Sequence, residues 1–158
     1  MSRIVAMIPA RMGSKRVKNK NLRLLNGKPL VCHVMEKARE AGVFDGIYLN
    51  SEADIFADLC KDYGVEFYKR SQELAADDAT NDMFVLDFIE HIPCDIIVQI
   101  NPTSPLISVE EIREFVKIML EQDYDTLHGV KEEHIEGLFK GKPLNFDSLK
   151  KMPRSQDL

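Results

Sequence analysis

Residues 3–21 read RIVAMIPARMGSKRVKNKN, an apolar run that stops at Pro9 and gives way to a cluster of cations around Gly13. The segment Ile4–Ile8 is short, continuously apolar and bounded by a proline, the pattern of a strand buried on both faces. Strands of that kind belong to parallel sheets covered by helices, where ligands collect beyond the carboxyl ends of the strands. A basic loop in that position is therefore the first candidate site.

Outward from this strand, helical patterns alternate with further apolar runs. Pro29 suits a first helical turn, LVCHVMEKARE carries apolar residues at helical spacing, and Gly42 closes a helix expected over residues 29–41. GIYLN reads as a second strand, and Ser51 is the N-cap expected for EADIFADLCKDY, which Gly64 ends. VEFY is a third strand. Thr80 or Asn81 can cap DMFVLDFIEHI, and DIIVQI is the most apolar strand of the chain. Ser108 and Glu111 have capping-box spacing before EIREFVKIML, and DTLHGV, residues 125–130, reads as a fifth strand. The alternation predicts an α/β fold with a mostly parallel sheet and helices on both faces, built as a single domain over residues 1–158. The loops Pro9–Gly27, Lys69–Ala79 and Asn101–Ile107 should then share one rim. After about residue 131 neither period is evident, and no repeat or low-complexity tract stands out.

The formal net charge of −5 conceals an asymmetry, because residues 1–35 hold eight Lys and Arg and no acid. The rest of the chain is correspondingly acidic. Such a body repels long polyanions, whereas a cleft of one sign concentrates small ones, so a small polyanion is expected in preference to nucleic acid. A solvated basic loop is the plainer alternative. No apolar stretch is long enough for a membrane span and no secretory signal is evident, so a cytoplasmic location is expected. Cys32, Cys60 and Cys94 are odd in number and match no ligand spacing, which points to reduced, mostly buried thiols. His33, His91, His128 and His134 form no cluster along the sequence, and His33 reads as a packed residue within a helix.

The basic loop has neither the GxxxxGK[ST] of a P-loop nor GxGxxG. Gly13 nevertheless allows close backbone approach, Ser14 offers hydroxyl and amide donors, and Arg11 with Lys15 brings charge to the same place. A triphosphate suits that combination.

The stretch IPARMGSKRVKNKNLRLLNGKPL resembles the opening signature of the sugar-activating cytidylyltransferases, in the branch of acylneuraminate cytidylyltransferase (CMP-sialic acid synthetase). YKRSQELAADDAT, NPTSPL and PRSQDL are similar to later motifs of that family, in the same order. The resemblance implies a Rossmann-like nucleotidyltransferase fold. It also implies transfer of CMP from CTP to a nine-carbon 2-keto sugar acid, a nonulosonic acid such as sialic acid, with release of pyrophosphate and a need for Mg²⁺ or Mn²⁺. On the nucleotide side it implies Arg11, Ser14 and Lys15 as triphosphate ligands, Lys20 at the reacting centre, and Asn21 as a cytosine reader. Arg70, the backbone of Ala79, and Asn81, where some relatives have serine, complete that side; Arg11 and Lys20 are the candidate catalytic cations. On the sugar side it implies Asn101, where the branch commonly has glutamine, with Thr103, Ser104, Arg154 and Gln156. For Thr103 and Ser104 a proline-flanked turn that uses its own hydroxyls is the alternative.

NPTSPL has no aspartate, which argues against the related branch acting on an eight-carbon sugar acid. Family members are normally longer, and their metal-binding aspartates come from sequence beyond Leu158. Asp77 and Asp78 lie on the expected rim, where an interaction with the following helix dipole is the ordinary reading. A CTP-binding fragment without turnover is therefore the alternative function, and a homodimer is the assembly the resemblance suggests.

Overall fold

Chain order explains the layers. The computed structural model describes residues 2–122, 124–131 and 137–144, and the chain divides into two compact units, Met1–Tyr124 and Asp125–Leu158.

In the first unit, strand β1 (Ile4–Pro9) leads through the basic loop to a two-residue antiparallel pair, β2 (Leu24–Leu25) and β3 (Lys28–Pro29), and then to helix α1 (Leu30–Ala41). Strand β4 (Gly46–Ser51), helix α2 (Ile55–Tyr63), strand β5 (Glu66–Lys69), helix α3 (Asn81–His91), strand β6 (Ile96–Gln99) and helix α4 (Val109–Glu121) follow. The sheet runs β5-β4-β1-β6 and every pairing is parallel, with Val5 opposite Gly46, Ile4 opposite Ile96 and Tyr48 opposite Glu66. Side chains alternate across a strand, so β1 feeds two cores. Ile4, Ala6 and Ile8 pack with Val31, Val34 and Met35 of α1, Phe56 of α2, and Ile112 and Val116 of α4. Val5 and Met7 pack on the other face with Tyr48 and with Phe88 of α3. This is the predicted parallel sheet with helices on both faces, three on one side and one on the other.

Helix ends follow the local chemistry. Gly42 and Gly64 close α1 and α2 in the left-handed conformation, with φ of 64° and 63°. Thr80 caps α3, and Ser108 with Glu111 forms the reciprocal capping box of α4. Arg113 of α4 donates to the carbonyls of Glu40 and Ala41 and so ties α4 to the end of α1.

Three expectations need correction. Ser51 is not a cap: it ends β4, is buried, and accepts the Ala53 amide, while α2 begins at Ile55. Pro29 lies in β3 ahead of α1, because Asn26 and Gly27, both at positive φ, fold residues 24–29 into a tight hairpin. Residues 125–130 of the second unit form no strand. Val130 is 90% exposed, and alternation without a neighbouring strand supplies no ladder of hydrogen bonds.

In that second unit, β7 (Leu138–Phe139) and β8 (Lys142–Pro143) pair around Lys140 and Gly141, again both at positive φ. GKPL thus recurs at residues 27–30 and 141–144 at the ends of two like hairpins, a short repeat that is evident once both turns are seen. Among the described residues no helix is long and apolar enough to cross a membrane.

Candidate functional site

Parallel strands place the loops after β1, β5 and β6 at one end of the sheet. Residues from all three line a cavity of about 760 Å³. The basic loop contributes Arg11, Ser14, Lys15, Lys20 and Asn21; Arg70 follows β5, and Asn101 and Thr103 follow β6. Ala79, Asn81 and Ser104 are outside its lining, and Arg154 and Gln156 are outside the described residues. Val17 and Phe84 also line it, the second from α3. Neither was expected from the motifs.

Backbone hydrogen bonds fix the basic loop to β4 and to itself. Ala10 donates to the Asn50 carbonyl at 3.0 Å, Ser14 N–H to Met12 at 2.8 Å, and Leu30 N–H returns to Arg23 at 2.8 Å. Asn21 is buried in a 3₁₀ turn, Lys20–Leu22, and its Nδ2 donates to the Arg11 carbonyl at 3.1 Å. That bond sets the orientation of the amide. At Gly13 an added Cβ would meet nothing within 4 Å, so the backbone there is open to an approaching group.

Arg11 and Lys15 reach across to the loop after β5. Arg11 Nη1 donates to the carbonyls of Ala75 and Ala76 at 3.0 and 3.2 Å, while Nη2 lies 3.3 Å from Asp77. Lys15 Nζ is 2.5 Å from the other Asp77 oxygen. Hydrogen bonding from Lys15, then the charges of Lys15 and Arg11, hold the Asp77 carboxyl below its ordinary value. Asp77 is thus an ion-pair partner of two candidate phosphate ligands, and it precedes α3 by several residues.

Arg70 is placed differently. It is 4% exposed, its guanidinium lies 4.9 Å above the Phe84 ring, and Nη2 donates to the Ala10 carbonyl at 3.5 Å. Among the described residues Nε and Nη1 are buried without a hydrogen-bond partner. Glu52, itself 5% exposed, lies 3.6 Å from Nη2 and accepts the Met12 amide at 2.8 Å with its other oxygen. Burial lowers the Arg70 pKa and the Glu52 charge opposes that shift. No motif flagged Glu52, which in sequence looks like the first turn of α2.

The third loop is a turn closed by Ser104 N–H to the Asn101 carbonyl at 3.0 Å, and Lys37 of α1 secures it through the Pro105 carbonyl at 2.8 Å. Gln99 donates to Asn101 Oδ1 at 3.1 Å. His33 is half-buried and bonds the Leu25 carbonyl, and the thiols of Cys32 and Cys60 lie in the core, the latter pushed up to about 11 by burial. Both thiols are therefore protonated at neutral pH. Among the described residues no group of three or more His, Cys, Asp or Glu converges to hold a metal ion.

Comparison with known proteins adds to this geometry. The family model described as cytidylyltransferase matches residues 5–157. The chain is 31% identical over 163 residues to the N-acylneuraminate cytidylyltransferase of Streptococcus agalactiae serotype III (strain NEM316), covering 98% of this chain and 40% of that protein. It is 36% identical over 122 residues to the CMP-N,N'-diacetyllegionaminic acid synthase of Legionella pneumophila, covering 73% of this chain and 53% of the relative. The chain therefore spans about half or less of the length of these curated relatives. Its fold is similar to that of a solved CMP:2-keto-3-deoxy-manno-octonic acid synthetase complexed with CTP, with a TM-score of 0.67 at 21% identity over 76% of this chain and 48% of that one.

Proposed function

We propose, from the premise that this chain belongs to the cytidylyltransferase family, that its cavity binds CTP for transfer of CMP to a nine-carbon 2-keto sugar acid. In that reaction the anomeric hydroxyl gives up its proton to solvent as its oxygen bonds to the α-phosphorus, the bond from the α-phosphorus to the bridging oxygen breaks, and pyrophosphate leaves. The observation that carries the reading is Arg70, a buried guanidinium with two unpaired nitrogens in the wall of a cavity that Arg11, Lys15 and Lys20 also line. Buried donors without partners are costly, and an anion that fills them is held more tightly than by exposed cations.

Charge builds on the departing pyrophosphate, so cations fixed around it stabilise the transition state beyond the ground state. Arg11 and Lys15 take the outer phosphates once released from Asp77. Lys20 meets the reacting phosphate. Asn21 Oδ1 accepts from the 4-amino group of cytosine, a donor that uracil lacks. Asn101 and Thr103 face the acceptor, whose identity as sialic acid or a relative is supported by the names of the two curated relatives. The described residues do not build a Mg²⁺ or Mn²⁺ cage of their own, and the cation stays in this reading as a requirement inherited from the family.

The test is thermal stabilisation by CTP, UTP, GTP and ATP, followed by pyrophosphate release with CTP, Mg²⁺ and sialic acid. A ligand bound only by the folded state at about 100 times its Kd adds roughly 2.7 kcal/mol. CTP alone should stabilise the chain, and Arg11→Ala should abolish the effect. Stabilisation without pyrophosphate release, with either sialic acid or N,N'-diacetyllegionaminic acid as acceptor, selects the CTP-binding reading without turnover. Equal stabilisation by all four nucleotides removes the cytosine assignment.

A further inference from the structure

Beneath the cations of the cavity lies a buried acid, Glu52. Electrostatics alone makes it unfavourable for a polyanion site, since removing it would leave the cavity one charge more positive. Its contacts give it another role. Glu52 follows β4 directly, at the root of the rim, and its two oxygens face two different loops. Oε1 accepts the Met12 N–H at 2.8 Å, immediately after Arg11 and before Gly13. Oε2 lies 3.6 Å from Arg70 Nη2, and the Ser51 hydroxyl donates to the same oxygen at 3.4 Å. Glu52 is not part of the cavity lining, so it reaches a ligand only through Met12 and Arg70.

We infer that Glu52 is a positioning residue that sets the basic loop and Arg70 in one fixed relation, so that the two sides of the cavity meet the triphosphate together. The inference rests on the cytidylyltransferase reading and extends it. Without the Met12 anchor, the segment Arg11–Lys15 loses its hydrogen bond to the residue that follows β4. Without the Oε2 charge, the Arg70 guanidinium is a buried cation with a weak carbonyl contact and a ring for neighbours, and its Nε and Nη1 no longer point in a set direction.

Charge and positioning predict opposite signs, which makes the idea testable. CTP is titrated into the wild-type chain, Glu52→Gln, Glu52→Asp, Arg70→Ala and the double variant Glu52→Gln/Arg70→Ala, with melting temperatures alongside. Positioning predicts that Glu52→Gln weakens CTP by roughly 10- to 100-fold, by analogy with the loss at metal sites when the partner that orients a ligand is removed, although the site gains positive charge. Part of that loss should vanish in the Arg70→Ala background, because Glu52 then has one arm left to act through. Equal or tighter binding by folded Glu52→Gln overturns the inference. If Glu52→Gln does not fold, Glu52→Asp decides: its shorter side chain cannot span both partners, so wild-type affinity in that variant also overturns it. Failure of the wild type to bind CTP would strike the nucleotide reading instead. Glu52 is then judged on ¹⁵N spectra without nucleotide, where Glu52→Gln should shift and broaden the Met12 amide and Arg70 Nε–H signals; unchanged signals overturn it.

Discussion

Two walls of one cavity hold their arginines in opposite ways. On the wall after β5, Arg70 is buried against Phe84, balanced by a buried acid, with two nitrogens left over. On the wall of the basic loop, Arg11 and Lys15 have 37% and 77% of their side chains exposed and are engaged with Asp77 and two backbone carbonyls. A buried pair is expensive to form and hard to rearrange, whereas an exposed one is weak and easily exchanged. The first wall is prepared before a ligand arrives. The second must release one anion to take another.

The largest effect should come from breaking the prepared wall. Arg70→Ala leaves Glu52 buried and uncompensated, and breaking such a pair costs about 3–5 kcal/mol. Chemical denaturation should show that loss, and titration should show a weakened but still measurable CTP affinity. Arg70→Lys should recover little, since an ammonium lacks the planar fork that serves Glu52, Ala10 and a ligand at once.

On the exchangeable wall, Lys15→Ala should keep stability nearly unchanged while weakening CTP by about 1.5–3 kcal/mol, the range of a hydrogen bond to a charged group, as read by calorimetry. Asp77→Asn sharpens the contrast with the opposite sign. It frees Lys15 and the Nη2 of Arg11 and should tighten CTP by about threefold, in keeping with the modest worth of exposed pairs. Because the Asp77 carboxyl is held below its ordinary value, its ion pairs are present above the ordinary aspartate range and lost as pH falls through the lowered value. At neutral pH the contact is constant, and the Asp77→Asn gain should not vary above about pH 7.5, where the terminal phosphate of CTP is fully ionised.

The smallest effect on CTP is expected from a control outside both walls. Ser108→Ala removes the cap of α4 and should cost about 1 kcal/mol of stability without altering CTP affinity. Bonds from the Ser108 amide and hydroxyl lower the Glu111 pKa, so the box contributes above the ordinary glutamate range and fades as pH falls through the lowered value. A melt series in acid checks that direction.

How far the sequence reaches depends on the range of the interaction concerned. The apolar run of β1, the stops at Gly42 and Gly64 and the box at Ser108 are local patterns with local causes, and they were readable. So was the convergence of three loops, which follows from parallel topology. Glu52 was not readable, because an acid after a strand and before a helix looks like a helix start until the fold brings Met12 and Arg70 to it. Asp77 misled in the same way. The hairpin at residues 24–29 carries an Asn-Gly signal, but strands of two residues are too short for alternation to show.

The position of β1 has a consequence for how the chain is made. It precedes the other strands of its sheet in the chain and is one of the two inner strands, so Val5 waits for Gly46 and Ile4 for Ile96 before its edges are covered. Pairings between such distant residues are slow, and an uncovered apolar strand is prone to wrong partners in the meantime. Synthesis must therefore proceed past Gln99 before this sheet can close, which makes the nascent chain most vulnerable to aggregation while the strand beneath the basic loop is still unpaired.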